Sequence, residues 1–154
     1  MAMRWMAMGV LFGLAASLTG QVSIYGVDRN PSSFMDVVGK PELGHSVKLT
    51  WMFDELGAVS RVLVIGPDTE VEANVCHFSP VHEQDRWLLV APFWHIPLWN
   101  FGPGNEFGVY IPEDASLVGV AIRAQVWIRE DGSGPHPCTP LKASPAVRIQ
   151  FMGH

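Results

Sequence analysis

Apolar and polar residues alternate with a period of two along most of this chain, and a helical period is hard to find beyond residue 20. In "HSVKLTWMF", Val47, Leu49, Trp51 and Phe53 share one face, and Ser46, Lys48, Thr50 and Met52 share the other. That pattern predicts a half-buried strand. "VSRVLVIG" is apolar on both faces, which predicts a strand near the middle of a sandwich, stopped by Gly66-Pro67. "EVEANVC" sets Glu70, Glu72 and Asn74 against Val71, Ala73 and Val75 and predicts a strand running to Cys76. The most amphipathic stretch is "VAIRAQVWIRE", where Ala121, Arg123, Gln125, Trp127 and Arg129 oppose Val120, Ile122, Ala124, Val126 and Ile128.

"QVSIYG", "RWLLVA" and a closing "AVRIQF" read as further strands, the last preceded by the polar loop "EDGSGPHPCTPLKAS". The segment "APFWHIPLWNFGPG" and the following "EFGVYIP" are separated by Gly102, Pro103 and Gly104, which predicts a tight reversal and a hairpin. "PEDASLVG" predicts a turn or a single helical turn, with Asp114 or Ser116 as its cap. About eight strands with hairpin-length links and no crossover helix give an all-β fold, an antiparallel two-layer β-sandwich of immunoglobulin-like, Greek-key type.

The first twenty residues, "MAMRWMAMGVLFGLAASLTG", change this picture only at the terminus. Arg4 followed by an uncharged stretch from Trp5 to Leu18 and then small residues predicts a signal peptide over 1–20. The apolar run is shorter than the roughly 20 residues that span a bilayer, so no membrane association is expected after cleavage. Residues 21–154 then form a single β-sandwich domain, secreted or periplasmic. Without Arg4 the chain has nine basic residues against fifteen acidic ones, a net charge of −6, and no run of Lys or Arg. A nucleic-acid surface is therefore disfavoured.

The order of segments also resembles a known module. "GKPELGHSVKLTW", "SRVLVIG", "WLLVAPFWHIPL", "GVYIPEDASLVGVAIRAQVWI" and "SPAVRIQF" together are similar to an uncharacterised β-sandwich module found in secreted bacterial proteins, usually at their C-termini. The resemblance spans roughly residues 37–151. It implies a fold and no catalytic residues.

Candidate chemistry is sparse. The two cysteines, Cys76 and Cys138, both fall in the exported part, and an even count in an oxidising compartment points to a disulfide. Free thiols are one alternative; zinc held by Cys76-His77 and His136-x-Cys138 is another, although neither half has the usual ligand spacing. "CHFSPVHEQD" gathers His77, His82, Glu83 and Asp85 in a Pro-containing segment without a helix to align them, so a solvated loop is expected. Glu113-Asp114 and Glu130-Asp131 are adjacent rather than opposed, which suits surface turns. Asp68, Glu70 and Glu72 could share one strand face toward calcium but lack an ion-binding loop. No catalytic residue, metal or cofactor is expected.

The aromatic segment carries the one binding candidate. Phe93, His95, Pro97, Trp99 and Phe101 alternate with Trp94, Ile96, Leu98 and Asn100, so both faces are largely apolar. Pro92 and Pro97 interrupt the amide ladder and push this strand to a sheet edge. Most of these rings are expected to pack inside the sheet layers; Trp94, His95, Trp99 and Phe101 are the residues to watch for a ligand. The resulting expectation is a secreted, non-enzymatic module that contacts another secreted protein or a polysaccharide, with a small carbohydrate-binding domain as the alternative.

Overall fold

A computed structural model describes residues 22–53, 58–75, 84–98, 105–130 and 141–154. Ten strands follow one another: β1 (Val22–Tyr25), β2 (Ser33–Val38), β3 (Ser46–Phe53), β4 (Ala58–Pro67), β5 (Glu70–Asn74), β6 (Trp87–Val90), β7 (Trp94–Pro97), β8 (Glu106–Tyr110), β9 (Ala121–Glu130) and β10 (Leu141–Gln150). Among the described residues the only helical element is a 3-10 turn, Ala115–Leu117, where the Asp114 carboxylate accepts the Ser116 N–H at 2.9 Å. The capping expected of Asp114 is therefore present.

The strands form an all-β antiparallel sandwich. A five-stranded sheet has the order β1-β10-β9-β4-β7, and a three-stranded sheet has the order β2-β3-β8. Between them lies the main core, built from the alternate residues the sequence pattern marks. Val47, Leu49 and Trp51 of β3 meet Leu63 and Ile65 of β4, Val126 and Ile128 of β9, and Val147 and Ile149 of β10. Burial of these side chains supplies the principal drive to fold.

β5 and β6 pair with each other as a separate ribbon that packs on the outer face of the five-stranded sheet. Leu89 and Val90 of the ribbon form a second cluster with Val64 and Ala146, flanked by Tyr25, Trp87 and Trp127. That explains why β4 is apolar on both faces: Leu63 and Ile65 point into the main core, Val62 and Val64 into the second. Where the chain leaves β6 it crosses directly over β4, so closely that a Cβ on Gly66 would lie 1.9 Å from the Ala91 carbonyl oxygen.

The ribbon is tied down by buried amides. Asn30 and Gln125 are both 0% exposed. Asn30 Nδ2 donates to the Trp87 and Ser144 carbonyls at 3.0 and 2.9 Å, and Gln125 Nε2 donates to the same two carbonyls at 2.9 and 2.8 Å. Asn30 Oδ1 accepts the Trp87 N–H and Gln125 Oε1 the Leu89 N–H, each at 3.1 Å, while the Tyr25 hydroxyl donates to the Leu89 carbonyl at 2.9 Å. Side chains thus satisfy the backbone groups of Trp87 and Leu89 that would otherwise be buried unpaired. The Ser144 carbonyl is available because β10 bulges between Ala143 and Ala146, where Pro145 has no N–H to donate. Ser144 Oγ accepts the Val126 N–H at 3.0 Å across that gap.

Two expectations need correction, and the alternation left two further features unmarked. β7 and β8 are not a hairpin: β7 pairs with β4 and β8 with β3, so the chain changes sheets between them. The last strand begins at Leu141 rather than Ala146, because the bulge lets the ladder to β9 pass Pro145. β2 is a strand that the alternation did not single out. The polar face of β9 is covered rather than wet, with Arg123 at 8% and Gln125 at 0% exposure beneath the ribbon.

Candidate functional site

A groove of about 470 Å³ opens where the ribbon meets the end of β1, lined by Tyr25, Gly26, Arg29, Glu70, Leu89 and Arg123 among others. Gly26 adopts φ 74°, and a Cβ there would fall 2.1 Å from Leu89 Cδ1, so the turn after β1 sits directly on the ribbon. Charged side chains line this margin in compensating pairs. Asp68 accepts Arg123 Nε at 2.8 Å and, through both oxygens, Arg148 Nε and Nη2 at 2.7 to 2.9 Å. The Arg148 and Arg123 guanidiniums hold its carboxyl down at about 2 from an ordinary 3.8. The Arg123 guanidinium lies 4.9 Å from the Tyr25 ring centroid, and burial raises the Tyr25 hydroxyl above its usual value. Arg29 bonds Glu72 and stacks on Trp87 at 4.8 Å.

These pairs explain why Asp68, Glu70 and Glu72 do not converge as ligands for calcium. Asp68 is engaged by two arginines and Glu72 by a third, and among the described residues no group of three or more metal-ligating side chains is placed to hold an ion. The groove is charge-compensated and holds no nucleophile with an orienting base among the residues that line it. Its chemistry is that of a clasp between layers.

The second feature is the rim of β7. This strand lies at the edge of the five-stranded sheet, where Pro92 and Pro97 place it by expectation. Phe93 is 70% and Trp94 58% exposed, their rings stacked edge to face with centroids 4.9 Å apart and an interplanar angle of 88°. The Phe93 N–H donates to the Ile65 carbonyl at 3.1 Å, which pins the backbone beneath the rings. Further along, Ile96 and Leu98 turn into the main core. The expectation that most of these rings pack inside the sheet layers fails for the two that are described. Their position at the start of an edge strand leaves no neighbouring strand among the described residues to cover them.

Of the predicted binding residues, Trp94 and His95 are both exposed, but they alternate to opposite faces of β7, opposite Ile65 and Val64 respectively. The structure does not bring them together; Phe93 is the ring that accompanies Trp94. Trp99 and Phe101, the cysteines Cys76 and Cys138, and the histidines His77, His82 and His136 lie outside the described residues. Another imidazole pair stands at the C-terminal end, with His45 and His154 5.8 Å apart and His154 Nε2 3.8 Å from a Glu113 carboxylate oxygen.

Sequence reasoning missed the clasp. Asn30, Gln125, Ser144, Asp68 and the three arginines come from widely separated segments, and no local motif marks them. The one available signal was an amide and two arginines on strands flanked by apolar neighbours. Compared with family models and with curated proteins, the chain matches none.

Proposed function

We propose that this chain is an exported, non-enzymatic β-sandwich module that acts by contact, presenting Phe93 and Trp94 to a second exported protein or a polysaccharide. One observation carries the reading: two adjacent rings stand mostly exposed on a backbone fixed at a sheet edge. Large exposed rings on a rigid base mark contact surfaces more often than scattered aliphatic side chains do. The signal-peptide pattern of residues 1–20 and the resemblance to a secreted module support export.

The carbohydrate form of this reading has its own support, because a fixed, solvent-facing indole offers the flat apolar surface on which a sugar ring stacks. Tryptophan fluorescence titrated with a panel of soluble polysaccharides, in the natural chain and in Trp94→Ala, tests it. Quenching that disappears in Trp94→Ala supports a glycan ligand. If the panel is silent, a photo-crosslinker at position 93 in the exporting cell should join the chain to one defined envelope protein. Silence in both experiments ends the contact reading.

Export also carries the cysteine pairing. The Val75 N–H bonds the Arg86 carbonyl and the Ala143 N–H bonds the Asp85 carbonyl, so Val75, which precedes Cys76, and the start of β10, which follows Cys138 in sequence, lie close together. A Cys76–Cys138 bond would restrict the unfolded chain by about 4 kcal/mol. Intact mass with and without reductant, read on the exported protein, should differ by two hydrogens.

A further inference from the structure

Among the described residues the sheet edges are closed to a further strand in several ways, and β8 is the exception. β7 carries Pro97, which has no N–H to offer. On β2 the Asp36 carboxylate accepts the Val37 N–H at 2.7 Å, and the Ser33 hydroxyl donates to the Ala143 carbonyl of β10 at 3.1 Å. β1 is only four residues long. On the ribbon, Asn30 and Gln125 take up backbone groups of β6, and β5 carries the exposed Glu70 and Glu72.

β8 has none of these devices. It runs from Glu106 to Tyr110 without a proline, and its one charge, on Glu106, is neutralised by Lys48 of β3 at 3.0 Å. The register with β3 fixes which way its backbone faces. The Trp51 N–H donates to the Asn105 carbonyl at 3.0 Å, and the Ile111 N–H donates to the His45 carbonyl at 2.9 Å. Asn105, Phe107, Val109 and Ile111 therefore turn their N–H and C=O groups toward β3, and Glu106, Gly108 and Tyr110 turn theirs away from it. These last three residues are all exposed, and no described residue bonds their outward groups. A Cβ on Gly108 meets nothing within 4 Å.

From this register we infer that a second copy of the chain pairs with β8, antiparallel and about a two-fold axis at Gly108, joining the three-stranded sheets of the two copies edge to edge. The outward set is symmetric about Gly108. Glu106 then meets Tyr110 of the second copy, Gly108 meets its own counterpart, and every outward donor finds an outward acceptor, about six main-chain bonds in all. An axis one residue to either side would leave Tyr110 or Glu106 without a partner on β8. The side chains match on both faces. Toward the core Phe107 meets Val109 of the second copy, both half-buried at the margin of the main cluster, and this apolar pair carries the core across the axis. On the outer face the Glu106 carboxylate stands beside the Tyr110 ring of the second copy, so no like charges oppose each other there. The contact uses neither ring of the pair at Phe93 and Trp94.

Sedimentation velocity on the full exported chain, from about 1 μM to about 0.1 mM, should show monomer passing into dimer. Amide hydrogen exchange at the two ends of that range locates the contact. Phe107 and Val109 should be protected throughout, while Glu106, Gly108 and Tyr110 should gain about tenfold or more in protection only in the concentrated sample. Gly108→Pro deletes an outward N–H and none that bonds β3, so it should weaken association about tenfold or more. Should that variant fail to fold, Tyr110→Glu, at an exposed position, should weaken association by setting carboxylates opposite each other beside the axis. A monomer at every concentration, a dimer whose Glu106, Gly108 and Tyr110 amides stay unprotected, or a dimer indifferent to the variant that folds, would overturn the pairing.

Discussion

The two outer faces of the sandwich are clothed in the opposite sense to their chemistry. On the five-stranded sheet the outward residues of β9 and β10 include Arg123 and Gln125, buried beside the ribbon, and Arg148, half-buried and held by Asp68. On the three-stranded sheet the outward residues include Phe34, Val38, Met52 and Tyr110, and all four stand exposed. Phe34 and Met52 are direct cross-strand partners at one end, and a single ion pair, Lys48 to Glu106 at 3.0 Å, lies between them and Tyr110. The contrast teaches that alternation reports which residues differ from their neighbours, not which side is wet. A polar face can be buried if every donor and acceptor finds a partner, and Gln125 uses its amide hydrogens on two carbonyls to do so. A few apolar residues can stay exposed, and among the described residues none covers Phe34, Val38, Met52 or Tyr110.

One substitution on each face makes the contrast quantitative, and the largest effect belongs to Gly66→Ala. The added Cβ would meet Ala91 carbonyl oxygen at 1.9 Å and Val90 Cγ1 at 3.0 Å, so the ribbon's exit or β4 itself has to move. Backbone cannot yield as a side-chain tip does, and a loss of about 3 kcal/mol is expected. Urea unfolding midpoints of the two proteins read it directly. A loss below about 0.5 kcal/mol would mean that the ribbon is not seated against β4 in solution.

How much of this was legible follows from how local each signal is. β3 was readable because Val47, Leu49 and Trp51 alternate without interruption, and β4 because Val62 to Ile65 are apolar on both parities. The edge position of β7 was readable from two prolines. β2 was not, since Phe34 and Val38 are apolar yet exposed while Met35 beside them is fully buried, which blurs the alternation. The false hairpin came from a turn-rich stretch whose neighbours pair elsewhere: β7 takes its partner from β4, thirty residues back, and register with β4 outweighs local turn propensity. The clasp was out of reach because Trp87 and Ser144, the two carbonyls shared by Asn30 and Gln125, are joined only by the fold. Trp94 and His95 were legible as surface candidates, whereas their divergence to opposite faces required knowing that β7 is flat strand through that point.

Acid gives a smaller and sharper handle on the covered face. Asp68 has a folded value of about 2, below its ordinary 3.8, so the folded chain gives up this proton more readily than the unfolded one. Its contribution is complete above about pH 4 and is lost as pH falls through about 2. With the side chain 30% exposed and the pair open to salt, that contribution is on the order of 1 kcal/mol. Asp68→Asn should therefore lower stability at neutral pH by about that much and flatten the acid limb between about pH 4 and pH 2. Parallel limbs in thermal melts of the two proteins would show that the arginine clasp does not persist in solution.

The smallest effect, of opposite sign, belongs to the bare face. Gly108 of β8 pairs with Lys48, and a Cβ built on it meets nothing within 4 Å. Its φ lies outside the left-handed region, so alanine fits the strand as it stands. Replacing it removes backbone freedom from the unfolded chain and adds a methyl to an open surface, which should raise stability by about 0.5 kcal/mol. The same change that forces the covered sheet apart at Gly66 is therefore mildly favourable here, and the difference between the two alanines measures the layer lying over β4. If Gly108→Ala proves destabilising by about 1 kcal/mol or more, something does lie on the three-stranded face in solution. Chain concentration then identifies one source, because a penalty that grows on concentrating the protein places a second copy there.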